Sequence, residues 1–412
     1  MGSFSIALSG LTAASGQLQS VSNNLANIGT DGYKDENLTF SDLFAGASGT
    51  NGSGDPVQTG SGVDTASTTS NFTEGNLNPT GLDSNMAISG NGFFVVQGAN
   101  GQPDYTRAGD FTANSSGQLT TPGGELVLGY PAVNGVVNTA GTLQPLQVGS
   151  VTSPAVATSK IGFTTNVSSS TPILGTATDN TPIIDSLGAQ HTLTINYTKT
   201  ATNTWTYSAT IPTADVTLGG TGNTVVGGGT LNFNGSGALT STTGVTPIVI
   251  PTFADGATAA QAISGPFGTA AAPTITQTNV ASGASTSTQN GLLSGTLSSF
   301  SVQSDGTILG TFSQGPNLAL GQVAVASFSN TQGLVSVGGN NYQPTNASGA
   351  AVVGLANTGG RGTIAGGKVE QSNVDIATEF SKLIVAQQAY SSNAKSITTL
   401  QAISQATLAM IQ

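Results

Sequence analysis

The opening segment has helical periodicity and needs a partner, and that need constrains the fold more than any other feature. Phe4, Leu8, Leu11, Leu18 and Leu25 recur at spacings of three, four and seven, with Ser15 and Ser22 in the missing places. A second line runs beside it at sevens: Ala7, Ala14, Val21 and Ile28. Together they make one apolar face of a helix. An isolated helix of this length, with Ser and Gly inside it, is marginal in water.

The other end of the chain supplies a candidate. Ser372 with Asp375 three residues on has the form of a capping box, and Asp375 and Glu379 suit the positive end of a helix dipole. Ile376, Phe380, Leu383, Tyr390, Ala394, Ile397, Leu408 and Ile411 fall on one heptad stripe, interrupted by Gln387, Gln401 and Ser404. At about 1.5 Å per residue this helix reaches roughly 60 Å. Two arrangements are open: surface helices packed on a β-domain, or the two chain ends paired as a coiled-coil-like stalk. Polar residues on the stripe make such a pair weak and dependent on neighbouring molecules.

Between the ends the period changes to two. "MAISGNGFFVV" reads as a hairpin: Met86 and Ile88, a turn at Asn91-Gly92, then Phe93 to Val96. "FSVQSDGTILGTF" repeats the form, with Phe300 and Val302 before Asp305-Gly306 and Ile308 and Phe312 after it. "HTLTINYTKTATNTWTYSATI" gives two alternating strands around Thr200 to Asn203, with Trp205 and Tyr207 on one face. From about Val148 to Ser287 the composition shifts toward Thr, Gly, Ala and Ser, which marks an inserted β-domain. The expected fold class is therefore mixed: α-helical, coiled-coil-like N- and C-terminal segments with two mainly antiparallel β-domains between them.

Composition narrows the function classes. Only 7% of the 412 residues are charged, yet 37% are hydrophobic, which indicates ordered β-structure with many turns rather than disorder. A net charge of −11 with eight thinly spread basic residues argues against nucleic acid and anionic membrane surfaces. Cysteine is absent, so disulfide and thiol chemistry are excluded. No run approaches the roughly 20 apolar residues of a membrane span.

Nothing in the sequence has the form of an active site, and no catalytic, cofactor or metal residue is expected. His191 opens a strand and has no second histidine with which to share a metal. "GGTGNTVVGGG" (Gly219 to Gly229) lacks the Lys of a phosphate loop and reads as a flexible loop. Asp83, Asp104 and Asp110 sit near expected hairpin turns, where Asp is common for backbone reasons. Asp185 with Gly188, and Asp305 with Gly306, are turn chemistry too, without the ligand series of a calcium loop.

The ends are more specific. "NNLANIGTDGYK" (Asn23 to Lys34) resembles the signature of bacterial flagellar rod and hook axial proteins: Asn-Asn-x-Ala-Asn, then Thr-x-Gly-aromatic-Lys. "SNVDIATEFSKLIVAQQAYSSNAKSITT" (Ser372 to Thr399) is similar to their C-terminal signature, through Asn373-Val374-Asp375, Ala386-Gln387, Tyr390, Asn393-Ala394-Lys395 and Thr399. "AISGNGFFVV" and "YTRAGDFTANSSGQLTTPGGELVLGYP" resemble their first β-domain. The resemblance covers roughly the first 150 and last 125 residues. Length, one inserted domain and a "FSDLFAGAS" segment (Phe40 to Ser48) point to the hook members. Gln388 stands where the pattern usually has Arg.

The resemblance implies a homo-oligomeric helical tube outside the cell, curved and flexible, passing torque from rod to filament. The distal rod protein, the hook cap, the hook–filament junction protein and the flagellar type III export apparatus are the implied partners, with no nucleic acid and no membrane insertion. Export without a cleaved signal peptide fits a start that lacks a positive segment. The implied layers are residues 1–30 with 371–412 (inner helices), 31–70 with 363–370 (a connecting segment), 71–147 with 288–362 (first β-domain) and 148–287 (inserted outer β-domain). Assembly residues are expected at Leu8, Leu11, Leu18, Asn23, Asn24, Leu25, Asn27, Gly32, Tyr33, Asn373, Asp375, Phe380, Leu383, Tyr390, Asn393 and Ile397. Gly29 is expected to end the first helix in a left-handed cap, Asp31-Gly32 to turn the chain and Tyr33 to anchor it. Asn23, Asn24 and Asn27 are expected either to contact other subunits or simply to cap the helix. The rivals are a long rod protein, filament flagellin and, from another class, a secreted β-rich adhesin or enzyme. No repeat of about 20 to 30 residues supports the last.

Overall fold

The structure is a computed structural model. It describes residues 2–410 apart from 51–55, 99, 217–219, 245–246 and 270–271, and no side chains at 2–3, 44–59 and 284–285. Ile411 and Gly219 therefore lie outside the described residues, as does much of the "FSDLFAGAS" side-chain pattern. The chain is mostly antiparallel β-sheet with a helix at each end. It divides into two compact units: Met1–Gly149 with Phe300–Leu309 and Ala319–Gln412, and Ser150–Ser299 with Gly310–Leu318.

In the first unit, helices Gly2–Ala26 and Ile376–Ala409 pack against each other. The segment after the first helix is a long antiparallel ribbon, Glu36–Thr50 against Pro56–Ser70, lying along that helix. The Val63 N–H donates to Ser9 Oγ at 3.2 Å, and Ser20 Oγ donates to the Glu36 carbonyl at 2.9 Å. Strand Phe93–Gln97 pairs with Pro103–Thr106, Leu126–Val133 and Leu318–Ser327, closing a core around Phe94, Phe111, Leu119, Val127 and Val325.

The Asn91-Gly92 hairpin does not form. Met86–Ser89 pairs with Thr363–Gly366 instead, while Phe93–Gln97 enters the other sheet. Both runs are buried on both faces, so each seeks two neighbours, and positive φ at Gly90 and Gly92 lets the chain step between sheets. Asp104 lies within a strand rather than at a turn, buried, and accepts from Gln343 Nε2 at 2.8 Å. The Asp305-Gly306 hairpin does form, joining Gly295–Val302 to Thr307–Phe312.

The second unit is built on a five-stranded antiparallel sheet in the order Thr176–Ile184, Gln190–Ala201, Thr204–Pro212, Asn223–Phe233, Leu239–Gly244. Alternation works as the period of two demands: Leu193, Ile195 and Tyr197 meet Trp205, Tyr207 and Ala209 on one buried face. Asn203 takes the left-handed turn position. The glycine run Gly227–Gly229 is strand, not loop. A Cβ on Gly229 would meet the Thr243 carbonyl and the Tyr207 ring, so glycine here lets two strands and an aromatic ring approach.

Candidate functional site

The first helix stops at Ala26, and its end differs from the expected glycine cap. Gly29 does not adopt positive φ. Asn27 does the capping: its Nδ2 donates back to the Asn23 carbonyl at 2.9 Å, and its Oδ1 accepts from Thr30 Oγ1 at 3.2 Å. The left-handed residue is Gly32, at φ 71°. A Cβ there would sit 2.3 Å from the Ala108 backbone nitrogen, so the close approach admits glycine alone. The Gly32 N–H donates to the Glu370 carbonyl at 2.7 Å, tying the turn to the strand that leads into the last helix.

Asn24 is the centre of this junction. It is 1% exposed. Its Nδ2 donates to Asp35 Oδ1 (2.7 Å), the Glu36 carbonyl (2.9 Å) and Glu379 Oε2 (3.1 Å). Its Oδ1 accepts from the Tyr33 hydroxyl and the Glu36 N–H, both at 3.0 Å. The hydrogen-bonding capacity of this amide is therefore used within the chain. Asn23 is exposed and donates to the Tyr33 hydroxyl at 3.1 Å. Tyr33 is buried, which pushes its phenol well above the usual range. Asn373 closes the ring from the other end: its Oδ1 accepts from the Asp35 N–H at 2.8 Å, and its Nδ2 donates to the Asn71 carbonyl at 2.8 Å.

Beneath it lies a buried charge knot. Lys34 Nζ contacts Glu370 Oε1 at 2.5 Å and the Thr73 carbonyl at 2.7 Å, with both charged side chains fully enclosed. Arg107 Nε stands 3.7 Å from Glu370 Oε2, while its terminal nitrogens donate to the Ile88 and Gly90 carbonyls. Burial holds both cations below their ordinary values despite Glu370. In the sequence Lys34 and Arg107 are letters of recognisable motifs with no role attached, and Glu370 lies in none. Lys34 and Glu370 stand 336 residues apart, so no local pattern could join them.

The two helices run antiparallel. Gly10 faces Asn393 and Asn24 faces Glu379, so rising numbers on one helix meet falling numbers on the other. The side facing inward on the first helix is Ala7, Ala14, Val21 and Asn24, the lighter of the two lines. On the last helix the buried residues, among those described, are Glu379 and Ala386. Leu11, Leu18, Leu25, Leu383, Asn393 and Ile397 are half-buried at the margins. Phe4 and Leu8 of the first stripe and Ile376, Phe380 and Tyr390 of the second point outward, as do Ile6, Ile384 and Val385 off the stripes: each is 40% exposed or more. Residues 401–410 are exposed throughout. Asp375 is the helix N-cap itself, accepting from the Thr378 N–H at 2.7 Å, so the box starting at Ser372 does not form. That contact holds the Asp375 carboxyl below its ordinary value.

Comparison with known proteins follows the same layout. The profile for flagella basal body rod proteins matches residues 4–34, and the one for the flagellar basal body rod FlgEFG protein C-terminal region matches 365–410. The flagellar hook protein FlgE/F/G D1 domain matches 87–166, and the flagellar basal body protein FlaE D2 domain matches 158–292. Flagellar hook protein FlgE of Salmonella typhimurium is 33% identical over 422 residues, covering 96% of this chain and 97% of its own. The Escherichia coli FlgE is 32% identical, with 96% of each chain covered. Helicobacter pylori flagellar hook protein FlgE2 aligns with 71% of this chain at a TM-score of 0.45 and 15% identity. Full-length similarity to FlgE, in the order terminal helix, β-domain, inserted domain, terminal helix, means that the chain belongs to the flagellar hook protein family and is a structural subunit of the hook.

Proposed function

We propose that copies of this chain assemble into the hook tube through the outward apolar faces of the two terminal helices, paired within each subunit as a short antiparallel coiled coil. The carrying observation is the exposure of Phe380 (51%), Ile384 (54%), Val385 (61%) and Leu408 (63%) on a helix whose inward side is small and polar. Exposed large apolar side chains of this kind are covered when subunits meet. The inner helices then border the channel and the β-domains lie outward, with boundaries near residues 30, 70 and 149 and, on the return, near 299 rather than 287. Asn23, Leu8, Phe380 and Tyr390 contact neighbouring copies, whereas Asn24, Gly32 and Tyr33 serve assembly indirectly by holding the helices at a fixed angle.

The tube is a flexible joint outside the cell, carrying torque from rod to filament. It meets the distal rod protein at its base, the hook cap during growth and the hook–filament junction protein at its tip, and its subunits arrive through the type III export apparatus. The role is mechanical, not enzymatic. The uncharged stretch before Asp31 suits a channel wall that later subunits must pass without being held.

The test replaces Phe380 and Ile384 together by Ser and examines purified protein by sedimentation and electron microscopy. Soluble, folded monomers that no longer form tubes are expected. Tubes that form normally would sink the proposal. Gln19→Lys then probes the channel, because Gln19 is exposed whereas Gln17 borders the last helix beside Lys382. Normal tubes with slowed filament growth in cells are the expected result.

A further inference from the structure

His191, the one histidine of the chain, lies in the second unit at the start of strand Gln190–Ala201. Its ring stacks on Phe253 at 4.2 Å between centroids. Both ring nitrogens meet carboxylates: Nε2 lies 3.0 Å from Asp185 Oδ2, and Nδ1 lies 3.2 Å from Asp215 Oδ2. A third carboxylate, Asp255, completes a set in which one ligand atom each of Asp185, His191 and Asp255 lie within 4.8 Å of one another.

The set is held by its surroundings. Asp185 Oδ1 accepts from the Leu187 and Ala189 N–H groups at 2.9 and 2.8 Å, which leaves Oδ2 aimed at the ring. The Ala254 N–H donates to the Asp215 carbonyl at 2.8 Å, and the Thr258 N–H donates to Ser186 Oγ at 2.7 Å, so the Asp255 loop is pinned at both sides. Asp185 is fully buried, His191 nearly so, and Asp255 is exposed, leaving a route in from solvent.

The donors converge from separate segments of the chain, one ligand atom from each of Asp185, His191 and Asp255. A neutral imidazole carries one N–H. If that proton sits on Nδ1 and donates to Asp215, the Nε2 lone pair faces a carboxylate oxygen. Among the described residues no Lys or Arg forms an ion pair with any of the three carboxylates. A divalent ion would accept the Nε2 lone pair and both carboxylates at once. One nitrogen with two carboxylate oxygens suits Zn²⁺ or Mn²⁺ better than the all-oxygen shell of Ca²⁺. A ligand imidazole whose other N–H is held by a carboxylate is the usual supporting arrangement. Sequence reasoning sought a second histidine, but the matching donors are carboxylates on separate loops.

We propose that His191 Nε2, Asp185 and Asp255 form a divalent transition-metal site, with Asp215 orienting the imidazole and Zn²⁺ as the fitting ion. Binding joins the strand start to the Asp255 loop and stabilises this unit.

The experiment uses the metal-stripped full chain titrated with Zn²⁺ by calorimetry, with Mn²⁺ as a paramagnetic probe of the histidine ring protons. One Zn²⁺ per chain, a raised melting temperature and selective broadening of the His191 resonances by Mn²⁺ are expected. Asp255→Asn, an exposed change, should weaken Zn²⁺ binding at least roughly tenfold, and Asp215→Asn by about 10–100-fold. Should His191→Gln fail to fold, Asp255→Asn still decides. His191 resonances that ignore Mn²⁺, or Zn²⁺ binding unchanged by Asp255→Asn, overturn the site.

Discussion

The inserted β-domain and the terminal helices treat their apolar residues in opposite ways. In the former, Trp205, Tyr197, Leu193, Ile195, Ile248 and Phe163 are all buried within one chain. In the latter, Phe4, Leu8, Phe380, Ile384 and Val385 stand in solvent while alanine, glycine and amides fill the seam. A sheet with a core of its own is complete as a monomer. A helix pair that turns its small side inward keeps its adhesive side for other molecules. The difference teaches where a subunit built to polymerise stores its affinity: outside the part that folds by itself.

Matched truncations should break or sharpen this contrast most. Trp205→Ala removes a fully buried ring and should cost about 3–5 kcal/mol in chemical unfolding of the inserted domain. Phe380→Ala should change monomer stability by less than about 0.5 kcal/mol while raising the critical concentration for polymerisation. If Phe380→Ala destabilises the monomer as Trp205→Ala does, the contrast fails.

The junction is the part of the helical layer that is complete within one chain, and Glu370→Gln tests it. The change removes the ion-pair partner of the enclosed Lys34 and Arg107, leaving only the more distant Glu74, at a cost of about 3 kcal/mol. Amide exchange should then rise around Tyr33 and Val374 while the inserted domain stays protected. Equal loss of protection in both regions would mean that they are not independent.

The smallest effect belongs to the Asp375 cap. Its carboxyl is held below the ordinary value by the Thr378 N–H, so the cap stabilises above the unfolded-state value of about 3.9 and is lost as pH falls through the lower folded value. Asp375→Asn caps without titrating. It should therefore lose less helicity by far-UV circular dichroism than the parent between about pH 4 and pH 2. Identical acid curves would remove the cap from the account.

Much of the fold was legible in local pattern. Heptad spacing marked both helices, and alternation marked the paired strands around Asn203 and the Asp305-Gly306 turn. The ribbon along the first helix was not, because its Gly, Ser and Thr carry little alternation. The Met86 and Phe93 strands were misread as partners because a run buried on both faces does not name its neighbours. For the candidate site, the signature located Asn24, Tyr33 and Asn373 but not their use: the amide of Asn24 serves the chain itself.

What the sequence by itself determined is what depends on neighbours a few residues away: helix period, strand alternation, the turn at Asp31-Gly32 and the uncharged start. Only the tertiary structure decided which side of each helix faces inward. Both lines of the first helix are apolar enough, and the choice fell to the Ala7, Ala14 and Val21 side. Gly10 against Asn393 lets the two helices approach closely, and Asn24 finds Glu379 at a separation of 355 residues. The same holds for Lys34 with Glu370 and for the carboxylates around His191. Partners so far apart leave no period to read, because their pairing is a property of the folded chain and not of any segment in it.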